Sequence, residues 1–255
     1  MIDLHCHILP SIDDGAIDEA ESLEMMRAAI EEGITVIAAT PHHQNGKYNN
    51  EREAVLAGVN RLNELAEEHQ LAIKIIPGQE IRLYGEIEAD YQSQKIVPIG
   101  NNTRYILIEF SNRHVPRYAE RLFYDIQLQG LKPIIVHPER NAEIMENTEK
   151  LMKLIEKGAL VQITAASVTG RFGKKIQKFT HQLIEANAVH IIASDAHNIS
   201  TRGFEMKAAI EVLNKKYGTD YVQYLKQNAQ DILDDKDVYP PVTGAVKRKK
   251  ILGLF

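Results

Sequence analysis

The chain has one cysteine, no tryptophan and no long apolar run. A single thiol cannot form an internal disulfide, which excludes a disulfide framework and points to a reducing, cytoplasmic setting. No stretch approaches the ~18 consecutive apolar residues of a membrane-spanning helix. The opening MIDLHCHILP interleaves Asp3 and His5 with Ile2 and Leu4, and lacks the basic and apolar regions of a signal peptide. Excess positive charge is missing as well. Thirty Lys and Arg stand against 35 Asp and Glu, a net charge of −5, which argues against a broad nucleic-acid surface. The absence of tryptophan excludes nothing. What is present, 255 residues of which 44% are hydrophobic and 25% charged, fits a soluble globular protein of the size of one α/β barrel.

Short β-branched runs alternate with longer amphipathic ones. Strands are predicted at 2–5, 34–40, 72–77, 105–110, 132–137, 159–164 and 189–194. Between them, Ala20, Leu23, Met26 and Ile30 recur at helical spacing, as do Ala119, Leu122, Phe123 and Ile126, and then Leu151, Leu154 and Ile155. Gly33, Gly130, Gly158 and Asn187 each separate a helical pattern from the strand that follows, as residues that tolerate a left-handed helix end. An iterated helix–Gly–strand connection implies parallel strands buried on both faces. A closed or nearly closed barrel fits best, with a doubly wound open sheet as the alternative. From 203 to about 230 the pattern is helical, with Ala208, Ala209, Val212 and Leu213 on one face. Residues 1–238 are read as a single domain and 239–255 as an extended basic tail ending VKRKKILGLF.

The polar residues at the strand ends carry the chemistry. Strand one ends at His5 and is followed by His7 and Asp14; strand two ends at His42-His43, strand three at Glu80 and strand four at Glu109. Strand five ends in His137-Pro138-Glu139-Arg140 and strand seven in Ser194-Asp195-Ala196-His197. Only strand six, ending in Gln162 and Thr164, lacks a His, Asp or Glu there. Active sites of parallel barrels collect at the C-terminal strand ends. His5, His7, Asp14, His42, Glu80, Glu109, His137, Asp195 and His197 therefore converge into one cup. Its four carboxylates would repel one another without cations. Imidazole and carboxylate without sulfur suit Mn, Fe or Zn, and nine ligands suit two or three ions. Three divalent ions would leave the cup at about +2, a receptor for a phosphate dianion. Arg140 and Arg202, a few residues beyond ligands, can add bidentate contacts.

Any one of these histidines taken alone is more often structural than a ligand; six strand ends together carry the inference. His69, His114, His181 and His190 are read as structural. His43 is read as orienting a ligand or as structural, Glu139 as a solvated or supporting acid, and Asp13 as a loop acid. A thiolate phosphatase loop needs Cys, five residues, then Arg; here five residues intervene between Cys6 and Ile12, which is no arginine. In an extended chain His5 and His7 share a face and Cys6 takes the other, so Cys6 is a small core residue.

These residues resemble the PHP (polymerase and histidinol phosphatase) superfamily of metal-dependent phosphoesterases. The matching motifs are His5-x-His7, Thr40-Pro41-His42, Glu80, Glu109, His137-Pro138-Glu139-Arg140 and Ser194-Asp195-x-His197. More narrowly, MIDLHCHILPSIDDGA, ATPHH, PGQEI, ILIEF, HPERN and ASDAHN run in register over almost the whole chain. They resemble the bacterial tyrosine-protein phosphatases of exopolysaccharide and capsule loci. The resemblance implies a distorted (β/α)7 TIM-like barrel, the PHP fold. It also implies removal of phosphate from tyrosine side chains, notably on a partner bacterial tyrosine kinase, in the control of exopolysaccharide and capsule synthesis. Carried over by position, His5, His7, Glu80 and Asp195 would hold one ion. Glu80, Glu109 and His137 would hold a second, and Asp14, His42 and His197 a third. Arg140 and Arg202 match phosphate-contacting arginines. The cofactor is then two or three divalent ions, manganese first, with Fe, Zn, Co or Mg as alternatives.

The mechanism expected is one-step hydrolysis by metal-activated hydroxide, with Arg140 and Arg202 stabilising the phosphoryl oxygens and His42 or His197 able to assist the leaving phenolate. The rivals are a PHP phosphoesterase acting on histidinol phosphate or another small phosphomonoester, an amidohydrolase, a trinuclear nuclease and a non-catalytic binding module. Glu109 stands where amidohydrolases commonly need a modified lysine, and the acidic balance disfavours the nuclease.

Overall fold

The structure, a computed structural model, describes residues 1–244 and residue 246; the Lys247–Lys250 basic run read as part of the tail lies outside the described residues. Nine strands are present among them: β1 (Ile2–Cys6), β2 (Val36–Ala39), β3 (His42–His43), β4 (Lys74–Pro77), β5 (Glu80–Arg82), β6 (Tyr105–Glu109), β7 (Lys132–Val136), β8 (Leu160–Thr164) and β9 (Ile191–Ala193). The helices are α1 (Glu19–Glu31), α2 (Arg52–Glu68), α3 (Ile87–Gln92), α4 (Ala119–Leu128), α5 (Ala142–Glu146), α6 (Glu149–Glu156), α7 (Ala165–Thr169), α8 (Lys174–Glu185), α9 (Met206–Tyr217) and α10 (Thr219–Leu233).

All strand pairs are parallel, in a three-stranded sheet β1-β2-β4 and a six-stranded sheet β3-β5-β6-β7-β8-β9. The fold is thus α/β and parallel, in one domain, as the helix–Gly–strand repeats indicate. Gly33, Gly130, Gly158 and Asn187 do sit at positive φ, at 80°, 80°, 97° and 55°. The expectation of seven strands needs correction, since nine are present. The second and third, predicted at 34–40 and 72–77, appear as β2 and β4, and each is followed after a break by a further short strand, β3 and β5. Thr40 and Pro41 interrupt one; proline cannot donate to a ladder. Thr40 turns its own N–H to Cys6 O at 2.9 Å. Gly78 interrupts the other, where an added Cβ would lie 3.0 Å from Thr40 Cγ2. The two breaks lie against each other, and pairing resumes as β3 with β5. The long C-terminal helical pattern is likewise two helices, split at Gly218 with φ 86°.

One sequence detail sets the direction of the first histidines. Ile2 and Asp3 pair with Val36 and Ile37, but Cys6 pairs with Ala39, so β1 carries one extra residue between Asp3 and Cys6. This bulge shifts the side-chain phase. Leu4 packs in an inner apolar cluster with Ala38, Leu107, Ile134, Leu160 and Ile191, whereas Cys6 packs in the larger core beneath the helices. The inner cluster floors the cup. The end of β9 closes onto β1 through Asp195 N to His5 O and His7 N to Ala196 O, both 2.8 Å. Residues 239–244 run along the surface, where Gly244 N donates to Ala186 O and Asn187 Nδ2 to Val242 O. No helix of the described residues is long and apolar enough to cross a membrane.

Candidate metal centre

The strand ends deliver their side chains to one place. His5 and His7 leave β1, His42 begins β3, Glu80 begins β5, Glu109 ends β6, and His137 follows β7 in a left-handed turn with φ 36°. Asp195 and His197 follow β9, with Asp195 also at positive φ, 54°. Glu80 lies at the middle. Its Oε2 is 3.6 Å from His5 Nε2, 3.3 Å from His7 Nε2 and 2.7 Å from His42 Nδ1, while its Oε1 meets His137 Nε2 at 2.7 Å. Asp195 Oδ1 lies 3.5 Å and 3.4 Å from the same nitrogens of His5 and His7. Asp14 Oδ1 is 3.2 Å from His42 Nε2 and 3.5 Å from His197 Nε2.

All nine sequence-predicted ligands therefore face one cup. Seven of them have donor atoms in three groups within 4.8 Å: His5, His7 and Glu80; His42, Glu80 and Glu109; and His7, Asp14, His42 and His197. His137 and Asp195 border these groups through Glu80, His5 and His7. The first and third overlap the sets carried over by position, with His7 added to the third. In the second, His42 stands where His137 was placed, although His137 touches the other Glu80 oxygen.

The electrostatics follow from packing so many ionisable groups together. Burial pushes the Glu80 carboxyl up, but His5, His42 and His137 outweigh it and hold Glu80 well below the usual carboxylate range. Burial likewise raises Asp195, while Arg140 and His5 pull it well below. Bonds from His197 and His42 lower Asp14. Glu109 goes the other way: burial and the Glu80 charge push it up to about 7. Burial would lower His42, but Glu80 and Asp14 raise it to about 9. Burial and Arg140 lower His137 to about 4; burial and His7 lower His197 to about 4.

Several supporting residues were not identified as such from the sequence. Asp13, read as a loop acid, is one: it accepts from His7 Nδ1 at 2.7 Å, from His42 N and from Gly15 N, and so fixes the His7 ring. Gln162, on the strand that lacked a candidate, places Oε1 2.9 Å from His5 Nδ1, which turns His5 Nε2 into the cup. Arg82 donates to Glu109 Oε2 from Nη2 and Nε at 2.8 and 2.9 Å. The only signal for Arg82 was its place two residues after Glu80. Glu139 is not solvated, as expected for one reading, but fully buried; its Oε1 accepts from Thr164 N, Thr164 Oγ1 and Ser167 Oγ. His43 is buried, and neither ring nitrogen bonds a candidate ligand. Cys6 is buried in the core, as strand alternation predicts.

The two arginines share one anchor. Arg140 Nη2 and Arg202 Nη2 donate to Asp195 Oδ2 at 2.6 and 3.1 Å, leaving Oδ1 to the histidines. Both line a cavity of about 610 Å³ that opens over His42, Glu80, Glu109 and His137. The residues present fit divalent ions by an observation inside the cup. Buried Glu80 Oε2, His42 Nδ1 and His197 Nε2 lie close to other polar atoms of the cup, at 2.7 Å between the first two and 3.5 Å from His197 to Asp14. Yet none makes an aligned hydrogen bond, and buried polar atoms are rarely left so without a reason. Each is an oxygen or imidazole donor of the kind Mn, Fe or Zn accepts.

Comparison with known proteins gives the chain a family. The family described as capsular polysaccharide synthesis, CpsB/CapC, matches residues 1–234. Tyrosine-protein phosphatase YwqE of Bacillus subtilis is 49% identical over all 255 residues, covering 100% of both chains. Putative tyrosine-protein phosphatase CapC of Staphylococcus aureus is 40% identical, again covering 100% of both. Tyrosine-protein phosphatase CpsB of Streptococcus pneumoniae is 30% identical over 92% of this chain and 99% of its own. A crystal structure described as that of YwqE from Bacillus subtilis and CpsB from Streptococcus pneumoniae, unique metal-dependent tyrosine phosphatases, superposes with a TM-score of 0.94 at 49% identity, covering 97% of this chain and 100% of that one. A TatD-family hydrolase of Entamoeba histolytica shares the fold alone, at TM-score 0.54 and 11% identity. On the match of the family over residues 1–234 and of these relatives over the full chain, the chain belongs to the CpsB/CapC family of capsular polysaccharide synthesis.

Proposed function

We propose that this protein is a metal-dependent protein-tyrosine phosphatase that acts on tyrosine-phosphorylated proteins, a partner bacterial tyrosine kinase among them, in the control of capsule or exopolysaccharide synthesis. The observation that carries the reading is the cup itself: nine His, Asp and Glu side chains facing one space, with two arginines at its mouth tied to Asp195. The YwqE, CapC and CpsB relatives support the tyrosine specificity. His5, His7, Glu80 and Asp195, then Glu80, Glu109 and His137, then Asp14, His42 and His197 would hold two or three divalent ions, manganese first among Mn, Fe, Zn, Co and Mg. Bound there, such ions would supply Lewis-acid activation of water near neutral pH and neutralise the phosphoryl charge.

The chain does the rest. Arg140 and Arg202 each use one guanidinium nitrogen on Asp195 and keep others for phosphoryl oxygens, which concentrates positive charge where negative charge develops. Gln162 and Asp13 fix the rings of His5 and His7 by bonding their Nδ1 atoms, so that each Nε2 faces inward. His137 and His197, lowered to about 4, present neutral imidazoles at pH 7. The leaving phenolate, from a phenol of pKa about 10, needs no strong acid; His42, raised to about 9, can hand it a proton where no ion holds the ring, whereas the neutral His197 cannot.

The two sheets are read as one distorted seven-stranded (β/α) barrel over residues 1–238, supported by the bonds from β9 to β1. The single buried thiol supports a reducing, cytoplasmic site of action. Phosphate release from a phosphotyrosine peptide tests the function. It is expected to require added Mn and to survive thiol alkylation. Release from histidinol phosphate alone would favour the small-substrate phosphoesterase instead.

A further inference from the structure

The cavity over the cup is lined almost entirely by charged and amide side chains. Among the described residues, Phe172 and Ile176 are its only carbon-rich lining. They come from one place, the turn between α7 and α8 and the first turn of α8, and line the same cavity. Neither is part of the cup, and neither was singled out by the sequence.

The turn is built to hold Phe172 still. Gly170 and Gly173 bracket it at φ 89° and 93°, and Gly173 N donates to Gly170 O at 2.9 Å. Arg171 ties the turn to the loop after β9, with Nη2 on Ser200 O at 2.8 Å and Nη1 on Glu205 Oε1 at 2.5 Å. The Phe172 ring centroid is 5.3 Å from Arg140 Cζ. A half-buried ring thus sits beside the guanidinium that faces the phosphoryl group. In a phosphate monoester, the group beyond the ester oxygen must pass this wall. An aromatic group there comes within the ~4.5–7 Å centroid range of ring–ring contact, and an alkyl group presents far less surface.

We propose that Phe172 and Ile176 are specificity-determining residues: they form the wall against which the phenyl ring of the substrate packs, and they give the site its preference for aryl over alkyl phosphates. This rests on the phosphatase reading and adds the element that selects tyrosine.

The test uses the full chain loaded with manganese, a phosphotyrosine peptide as assay substrate, and phenylphosphonate, methylphosphonate and inorganic phosphate as inhibitors. Phe172→Ala and Ile176→Ala are expected to raise the Ki of phenylphosphonate and the peptide KM about tenfold. The Ki of methylphosphonate and of inorganic phosphate is expected to move less than about twofold, and Phe172→Tyr to restore the phenyl preference. Phe172→Leu serves if the alanine variant fails to fold, with an intermediate loss expected. The proposal is overturned if the phenyl-to-methyl ratio is unchanged. It is also overturned if all three inhibitors weaken together, because Phe172 then acts only by positioning Arg140. If the wild-type enzyme releases no phosphate from the peptide, the phosphatase reading itself fails and this inference goes with it. A changed ratio in an active enzyme separates the two.

Discussion

Arg82 holds Glu109 by a single oxygen: its Nη2 and Nε both donate to Oε2, at 2.8 and 2.9 Å. Oε1 is left for the cup, where Glu109 groups with His42 and Glu80. The arginine therefore orients a candidate ligand without being one. Arg82→Met is expected to weaken binding of one ion by about 10–100-fold, the usual cost of losing such a partner, while leaving the other ions in place. Arg82→Lys keeps the charge but not the fork and should fall between. Equilibrium dialysis with Mn, read as ions per chain, checks this; unchanged affinity would remove Arg82 from the site.

Acidity offers a second test. Cation binding needs Glu109 and His42 deprotonated, and the fold holds these at about 7 and about 9. Metal uptake should thus release protons, and affinity should climb as pH rises through 7 and on toward 9. The metal-free protein should show the opposite trend over pH 7 to 9. His42 is raised in the folded state, so its stabilisation is full below its unfolded value near 6.5 and is lost as pH rises through 9. His137 and His197, at about 4, are neutral throughout this window and contribute no slope. Melting curves with and without Mn should diverge as pH rises; parallel curves would contradict the assignment.

Most of the cup was legible because its ligands sit at strand ends, where alternation and glycine punctuation mark position. The partners of those ligands were not. Gln162 holds His5 across 157 residues of sequence, and nothing local to it distinguishes it from a solvated glutamine. Glu139 stayed open between a solvated and a supporting acid, and the short helical turn at Pro138–Arg140 decides it by rolling the side chain inward against Thr164 and Ser167. The strands predicted at 34–40 and 72–77 stop before Pro41 and Gly78, but their resumption as β3 and β5, two and three residues long, leaves no apolar run to mark it. The bulge in β1 could not be read at all, since it exists only in the pairing with β2.

Cys6 provides a control between His5 and His7. Its Sγ is buried and lies 3.5 Å from Ala196 O, and burial together with Asp3 and Asp195 raises its thiol well above the ordinary value. A thiol so placed is no nucleophile. Cys6→Ser should keep phosphatase activity within about threefold, the hydroxyl taking over the bond to Ala196 O, with a stability loss of about 1 kcal/mol. Iodoacetamide should leave the native enzyme active. Loss of turnover in a folded, metal-loaded Cys6→Ser protein would reopen a thiol mechanism.

Gly15 carries the sharpest steric prediction. A Cβ at this position would lie 2.0 Å from His7 O and 2.6 Å from His7 Cβ, both far inside contact distance. The neighbours cannot yield cheaply. His7 O accepts from Ala16 N, His7 N donates to Ala196 O, and the ring is pinned by Asp13, whose Oδ1 also accepts from Gly15 N. An alanine must therefore push His7 out of register or move the Asp13–Asp14 loop, and either shift separates His7 from Glu80 or Asp14 from His42 and His197. Gly15→Ala is expected to cost about 1–3 kcal/mol of stability, typical of overpacking. It should also cut turnover at least about 100-fold, since misplacing a reacting group by about 1 Å has that effect. Gly58→Ala is the comparison. Its Cβ would meet only the flexible Leu9 side chain, at 3.1 Å, and none of the candidate ligands, so it should perturb stability while leaving Mn stoichiometry intact. If Gly15→Ala binds the full complement of Mn and turns over normally, the packing of the His5–Asp14 loop does not position the centre as described.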